Sequence, residues 1–85
     1  MTIKDRIERL AMINGTSFIR NKAIEELSEC IKAINSNIKY DIIDEIADVS
    51  VMIKQLVYDL GLHTKVDERI NYKVSRAEKR LGIAE

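Results

Sequence analysis

The chain has 85 residues, 46% hydrophobic and 33% charged, which bounds it to one small globular domain rather than a disordered segment. Lys plus Arg and Asp plus Glu stand at 14 each, so no global basic field exists to attract a nucleic-acid polymer. No apolar run approaches the roughly 20 residues of a membrane span, no signal peptide is visible, and the single Cys30 excludes an internal disulfide. A lone thiol fits a reducing compartment, so the expected location is the cytoplasm.

With no proline and three glycines, the composition predicts long helices joined by short connections. A first helix is expected over 3–13, with Thr2 as N-cap, Asp5 completing a relative of the capping box, and Asn14-Gly15 as the stop. Ile3, Ile7, Leu10 and Ala11 give it one apolar stripe. A second helix, 17–34, is capped by Thr16 or Ser17 and carries an apolar line of Ile19 or Ala23, Ile24, Leu27, Cys30 or Ile31, and Ile34. Cys30 beside Leu27 and Ile31 reads as packing, not as a nucleophile.

Asn35-Ser36-Asn37 predicts a turn, because these side chains compete with helix for backbone bonds. The third helix, 40–60, is apolar over most of its circumference: Ile42, Ile43, Ile46, Val49, Val51, Met52, Ile53, Leu56, Val57 and Leu60. So small a chain cannot cover it on all sides, which predicts burial against a second copy across a twofold axis. Gly61 ends this helix. Thr64, with Asp67 three residues on, is expected to cap a fourth helix over 65–81, with an apolar line of Val66, Ile70, Val74, Ala77 and Leu81. Beside that line runs a basic row, Arg69, Lys73, Arg76 and Arg80.

The acidic residues carry the chemistry. Glu26 and Glu29 are three apart, as are Glu45 and Asp48, so each pair stands on one side of its helix. At about 1.5 Å rise per residue, both pairs lie about 14 Å from the Asn-rich turn. An antiparallel hairpin therefore brings four carboxylates to one level. The second pair has no Lys or Arg one turn to either side, and unit charges 4 Å apart repel by about 4 kcal/mol near a protein surface. A divalent cation relieves that repulsion, and oxygen-only ligands suit Mg²⁺, Mn²⁺ or Ca²⁺. Di-iron bundles need Glu-x-x-His motifs, and the one histidine, His63, is remote in sequence. A cationic face near such a centre is suited to holding phosphate oxygens.

Glu25-Glu26-x-x-Glu29 followed by Glu45-x-x-Asp48 resembles the EExxE…ExxD signature of the MazG-like, all-α nucleoside triphosphate pyrophosphohydrolases. Lys22-Ala23-Ile24 before the first motif and Asp44 through Val49 around the second agree, and Lys73-Val74-Ser75-Arg76 is similar to the Lys-x-x-Arg segment of short, phage-type members. The likeness covers roughly residues 16–81. It implies antiparallel helices completed by dimerisation, or by a dimer of dimers, into four-helix bundles. It further implies Mg²⁺-dependent hydrolysis, with Mn²⁺ an alternative ion, of a (deoxy)nucleoside triphosphate to monophosphate and pyrophosphate. Carried across, Glu26, Glu29, Glu45 and Asp48 hold the metal, Glu25 is an auxiliary carboxylate for the water, and Lys73 and Arg76 hold phosphates. Relatives often have a Gln upstream, where this chain has Phe18-Ile19-Arg20. The alternatives are a non-catalytic helical dimerisation module, a phosphoribosyl-ATP pyrophosphohydrolase and a dimeric all-α deoxyuridine triphosphatase.

Overall fold

Four helices and short turns account for the computed structural model, which describes residues 1–83: α1 (Ile3–Asn14), α2 (Thr16–Ser36), α3 (Lys39–Asp59) and α4 (His63–Leu81). No strand occurs among the described residues, so the architecture is all-α. Every helix lies within a residue or two of its expected span. None is long and apolar enough to cross a membrane.

The ends explain the spans. Thr2 and Asp5 form the expected capping box, Asp5 N–H donating to Thr2 Oγ1 and Thr2 N–H to Asp5 Oδ2, each at 3.0 Å. The caps expected of Thr16, Ser17 and Thr64 are absent. Gly15, at φ 79°, turns the chain and itself accepts the first bond of α2 from Ile19 N–H at 3.1 Å, so Thr16 is already helical. At the far end of α3, Gly61 has φ 64°, its N–H donates to Tyr58 O, and Leu62 N–H donates to Val57 O. That is the Schellman arrangement. It delivers the chain straight into α4 from Leu62, leaving Thr64 inside the helix. Between α2 and α3, Asn37 takes the left-handed conformation at φ 57°, while Ser36 Oγ donates to Ala33 O and accepts from Ile38 N–H.

The α2–α3 hairpin is the principal contact, and α1 lies across α3 and α2. The buried and half-buried positions of α2 are Ile19, Ala23, Glu26, Cys30 and Ala33, with Lys22 beside them; on α3 the run Ile42, Glu45, Val49, Met52, Leu56 and Asp59 is similarly covered. Both rows alternate steps of three and four, the spacing of a packed helical seam. Ala11 of α1 joins Ile19, Ala23 and Met52 in the core, with Leu56 against it. Gln55 is buried as well, accepting from Asn14 Nδ2 at 2.9 Å and donating to Met52 Sδ at 3.5 Å, which ties the end of α1 to α3.

The stronger apolar line of the sequence is not the one that folds inward. Ile24, Leu27, Ile31 and Ile34 of α2 are exposed, as are Ile43, Ile46 and Ile53 of α3. Small seam residues allow α2 and α3 to approach closely, and the larger side chains are left on another face. Helix α4 packs on α3 alone and buries none of its residues. The consequence is an open molecule. Its accessible surface is 6840 Å², where a compact monomer of 9.8 kDa exposes about 5,200 Å². Its radius of gyration is 15.4 Å against about 12 Å expected for this length.

Candidate metal centre

Glu26 and Glu45 occupy seam positions in rows that are otherwise apolar except for Asp59 at the end of α3. Ala23 and Ala33, each nearly inaccessible, bring the two helices close on either side of this level. The hairpin thus forces carboxylates together instead of letting them splay into solvent. Glu26, Glu45 and Asp48 each present an oxygen, and those oxygens lie within 4.8 Å of one another. The Glu26 side chain is only 13% exposed, Glu45 is half-buried and Asp48 is exposed.

Glu45 is the unusual member. Its Oε2 is shielded from water and has no hydrogen-bond partner among the described residues. A buried acceptor without a donor is costly, and native structures rarely tolerate it without an explanation. Desolvation pushes the Glu45 carboxyl above the ordinary range, with further upward pressure from Asp48, Glu26, Asp44 and Glu29. Asp59 Oδ2 is also unpartnered, but Asp59 belongs to no cluster of potential ligands.

The other expected residues are placed differently. Glu29 is not in the three-oxygen group. It stands at 48% side-chain exposure, paired with Lys32 at 3.5 Å, and lines an open groove of about 240 Å³ together with Ala33, Ser36, Asp41 and Glu45. One residue short of Cys30, the next seam position, it is turned off the seam while lining the same groove as Glu45. Glu25 is exposed and accepts from Lys22 Nζ at 3.3 Å. Lys22 Nζ also lies 3.5 Å from Glu26 Oε1, and the two glutamates, Glu25 foremost, raise the lysine's pKa. Asp41 and Lys32 are groove residues that the motif spacing does not single out. The available signals were Lys32 one turn after Glu29 and Asp41 in the first turn of α3.

Lys73 and Arg76 are not brought to the acids within this chain. They sit on α4, which touches neither α1 nor α2, and no cation of α4 pairs with an acid of α2 or α3 among the described residues. Lys73 instead flanks an apolar groove with Leu62, Val66, Arg69 and Ile70. On the same helix Tyr72 lies between two guanidinium groups, Arg69 at 4.7 Å and Arg76 at 5.8 Å from the ring centre. Such contacts hold a basic row in order.

Comparison found no corresponding family model, curated protein or solved structure.

The donor set is chemically coherent. Hard oxygen ligands at 2.3–2.6 Å from Ca²⁺ stand up to about 5 Å apart, and ligands of Mg²⁺ at 2.0–2.1 Å stand up to about 4.2 Å apart. The three oxygens, all within 4.8 Å of one another, fall inside the wider limit, and the smaller ion requires them to draw closer.

Proposed function

We propose that this protein is a divalent-cation-dependent nucleoside triphosphate pyrophosphohydrolase of the MazG-like kind, converting a (deoxy)nucleoside triphosphate to monophosphate and pyrophosphate. The observation that carries the reading is the convergence of Glu26, Glu45 and Asp48 from facing helices, with one Glu45 oxygen buried and unpaired. Three acids in that arrangement lack a positive charge equal to theirs, and among the described residues Lys22 alone pairs with one of them.

Glu26, Glu45 and Asp48 would hold Mg²⁺ or Mn²⁺, with Glu29 at the rim of the adjoining groove. When bound, the ion neutralises phosphate charge and acts as a Lewis acid. Glu25 stays outside the cluster, paired with Lys22, and would be the auxiliary carboxylate that takes a proton from water. Lys73 and Arg76 serve phosphate when α4 closes over the groove, or when it reaches the groove of another copy.

The same reading includes a homodimer. The uncovered apolar face of α2 and α3 and a surface excess of roughly 1,700 Å² exceed the roughly 800 Å² per partner of a standard interface. Joining two hairpins through Ile24, Leu27, Ile31, Ile43 and Ile46 makes a four-helix bundle. The unburied line of α4 leaves a further surface for a dimer of dimers. A free Cys30 fits a cytoplasmic setting.

Incubation with a panel of nucleoside triphosphates and Mg²⁺, assayed for monophosphate and pyrophosphate, tests the activity. Turnover by the wild type and its loss in Glu45→Ala are expected. No turnover on any substrate, or a Glu45→Ala variant equal to wild type, refutes it. Product analysis on phosphoribosyl-ATP and deoxyuridine triphosphate separates the two related activities. A second reading, a non-catalytic dimerisation module, draws on the extent of uncovered apolar surface; it predicts no response of stability to Mg²⁺.

A further inference from the structure

Lys22 makes one contact too many for an ordinary surface pair. It stands one turn before Glu26, and its ammonium bridges Glu25 Oε1 at 3.3 Å and Glu26 Oε1 at 3.5 Å. Glu26 is at once its partner and a member of the three-oxygen group. Among the described residues no other cation pairs with a member of that group: Lys32 is engaged with Glu29, and the basic row of α4 is held elsewhere. The Lys22 side chain is 37% exposed. Its flexible stem and three donors let it exchange one anionic partner for another without moving the helix.

We infer that Lys22 is a shuttling counter-ion of this site: it neutralises Glu26 in the metal-free protein and passes to a polyphosphate oxygen when Glu26 engages a divalent cation. This rests on the proposed cation site, and adds to it a phosphate-holding residue on α2 itself. Two positive charges cannot share the Glu26 carboxylate cheaply, so Lys22 competes with the cation for it. An incoming triphosphate carries several negative charges to the same place and gives the displaced ammonium a partner. Lys22 therefore acts with opposite sign on two ligands. It weakens binding of the cation alone and strengthens binding of the anionic substrate.

Lys22→Met, close in volume and uncharged, tests both signs. Titration of the nucleotide-free protein with Mn²⁺ by calorimetry is expected to give about three- to tenfold tighter binding than wild type. In steady-state assays, KM for the Mg²⁺–triphosphate substrate is expected to rise about tenfold with kcat within about twofold, the pattern of a lost uniform contact. Lys22→Arg keeps the charge and is expected to restore both values to within a few-fold. Helical circular dichroism with a cooperative melt establishes that each variant is folded, and Lys22→Arg carries the test if the Met variant is not. In that case Arg must retain wild-type KM and Mn²⁺ affinity within a few-fold, and a tenfold departure in either overturns the inference. Unchanged or weaker Mn²⁺ binding by a folded Lys22→Met, or an unchanged KM, overturns the role of Lys22 while the cation site stands. A wild type that neither binds Mn²⁺ nor turns over any triphosphate removes both.

Discussion

Stability in the presence of metal is the sharpest consequence of the carboxylate geometry. A cation bound by the folded chain alone raises its stability by the linkage relation, independently of any catalysis. Millimolar metal is about 100-fold above a dissociation constant near 10 µM, and that ratio adds about 2.7 kcal/mol. At about 2.1 cal/mol/K per residue, unfolding 85 residues carries an entropy of roughly 180 cal/mol/K near the transition. The melting temperature should therefore rise by about 15 °C in Mg²⁺ or Mn²⁺. Glu45→Gln removes one charge from three oxygens held within 4.8 Å and relieves the desolvated carboxylate. Its metal-free melting temperature should exceed that of wild type, while its response to metal is lost. Differential scanning fluorimetry with and without chelator measures both. A wild type indifferent to both ions, or a Glu45→Gln variant that responds as wild type does, refutes the argument from convergence.

The pH dependence follows from the same group. Glu45 is raised above its unfolded value of about 4.3, so the folded chain binds its proton more readily. The metal-free protein should thus gain stability from this group as pH falls from neutrality towards about 4.3. Asp5 works the other way: its backbone and side-chain bonds with Thr2 depress it, and the stability it contributes is lost as pH falls below about 3.9. A chelator-treated pH series of thermal melts should show a maximum between those effects, and a monotonic fall from neutrality would contradict it. Gln55→Leu should cost about 1–2 kcal/mol by stranding Asn14, and the Asn14→Ala/Gln55→Leu pair should cost less than the sum of the two in denaturant titrations. Ile31→Asp with Ile46→Asp should convert a sedimenting dimer to monomer; a monomeric wild type at micromolar concentration would remove the interface.

Helix positions were readable in the sequence because the punctuation is local. Gly15 and Gly61 can take the positive φ that ends a helix, Asn37 takes it next best, and an absence of proline leaves nothing to interrupt the spans. The level at which the acids meet was also readable, since rise per residue fixes it once the turn is located. Which acids meet was less so. Glu26 and Glu29 share a side of α2, yet the contact line passes through Ala23, Glu26, Cys30 and Ala33, and Glu29, one residue short of Cys30, falls off that line. The orientation of α2 misleads because hydrophobicity points to Ile24, Leu27, Ile31 and Ile34, whereas packing selects the row with alanines. Close approach favours small side chains in the seam, and a large apolar line left outside is a demand for another surface. Helix α4 was the least legible for the same reason: among the described residues it packs on α3 alone and its apolar line stays uncovered, so Lys73 and Arg76 are not set against the acids. The cation that local spacing does place is Lys22, one turn before Glu26, where the register of a single helix is enough to set the contact.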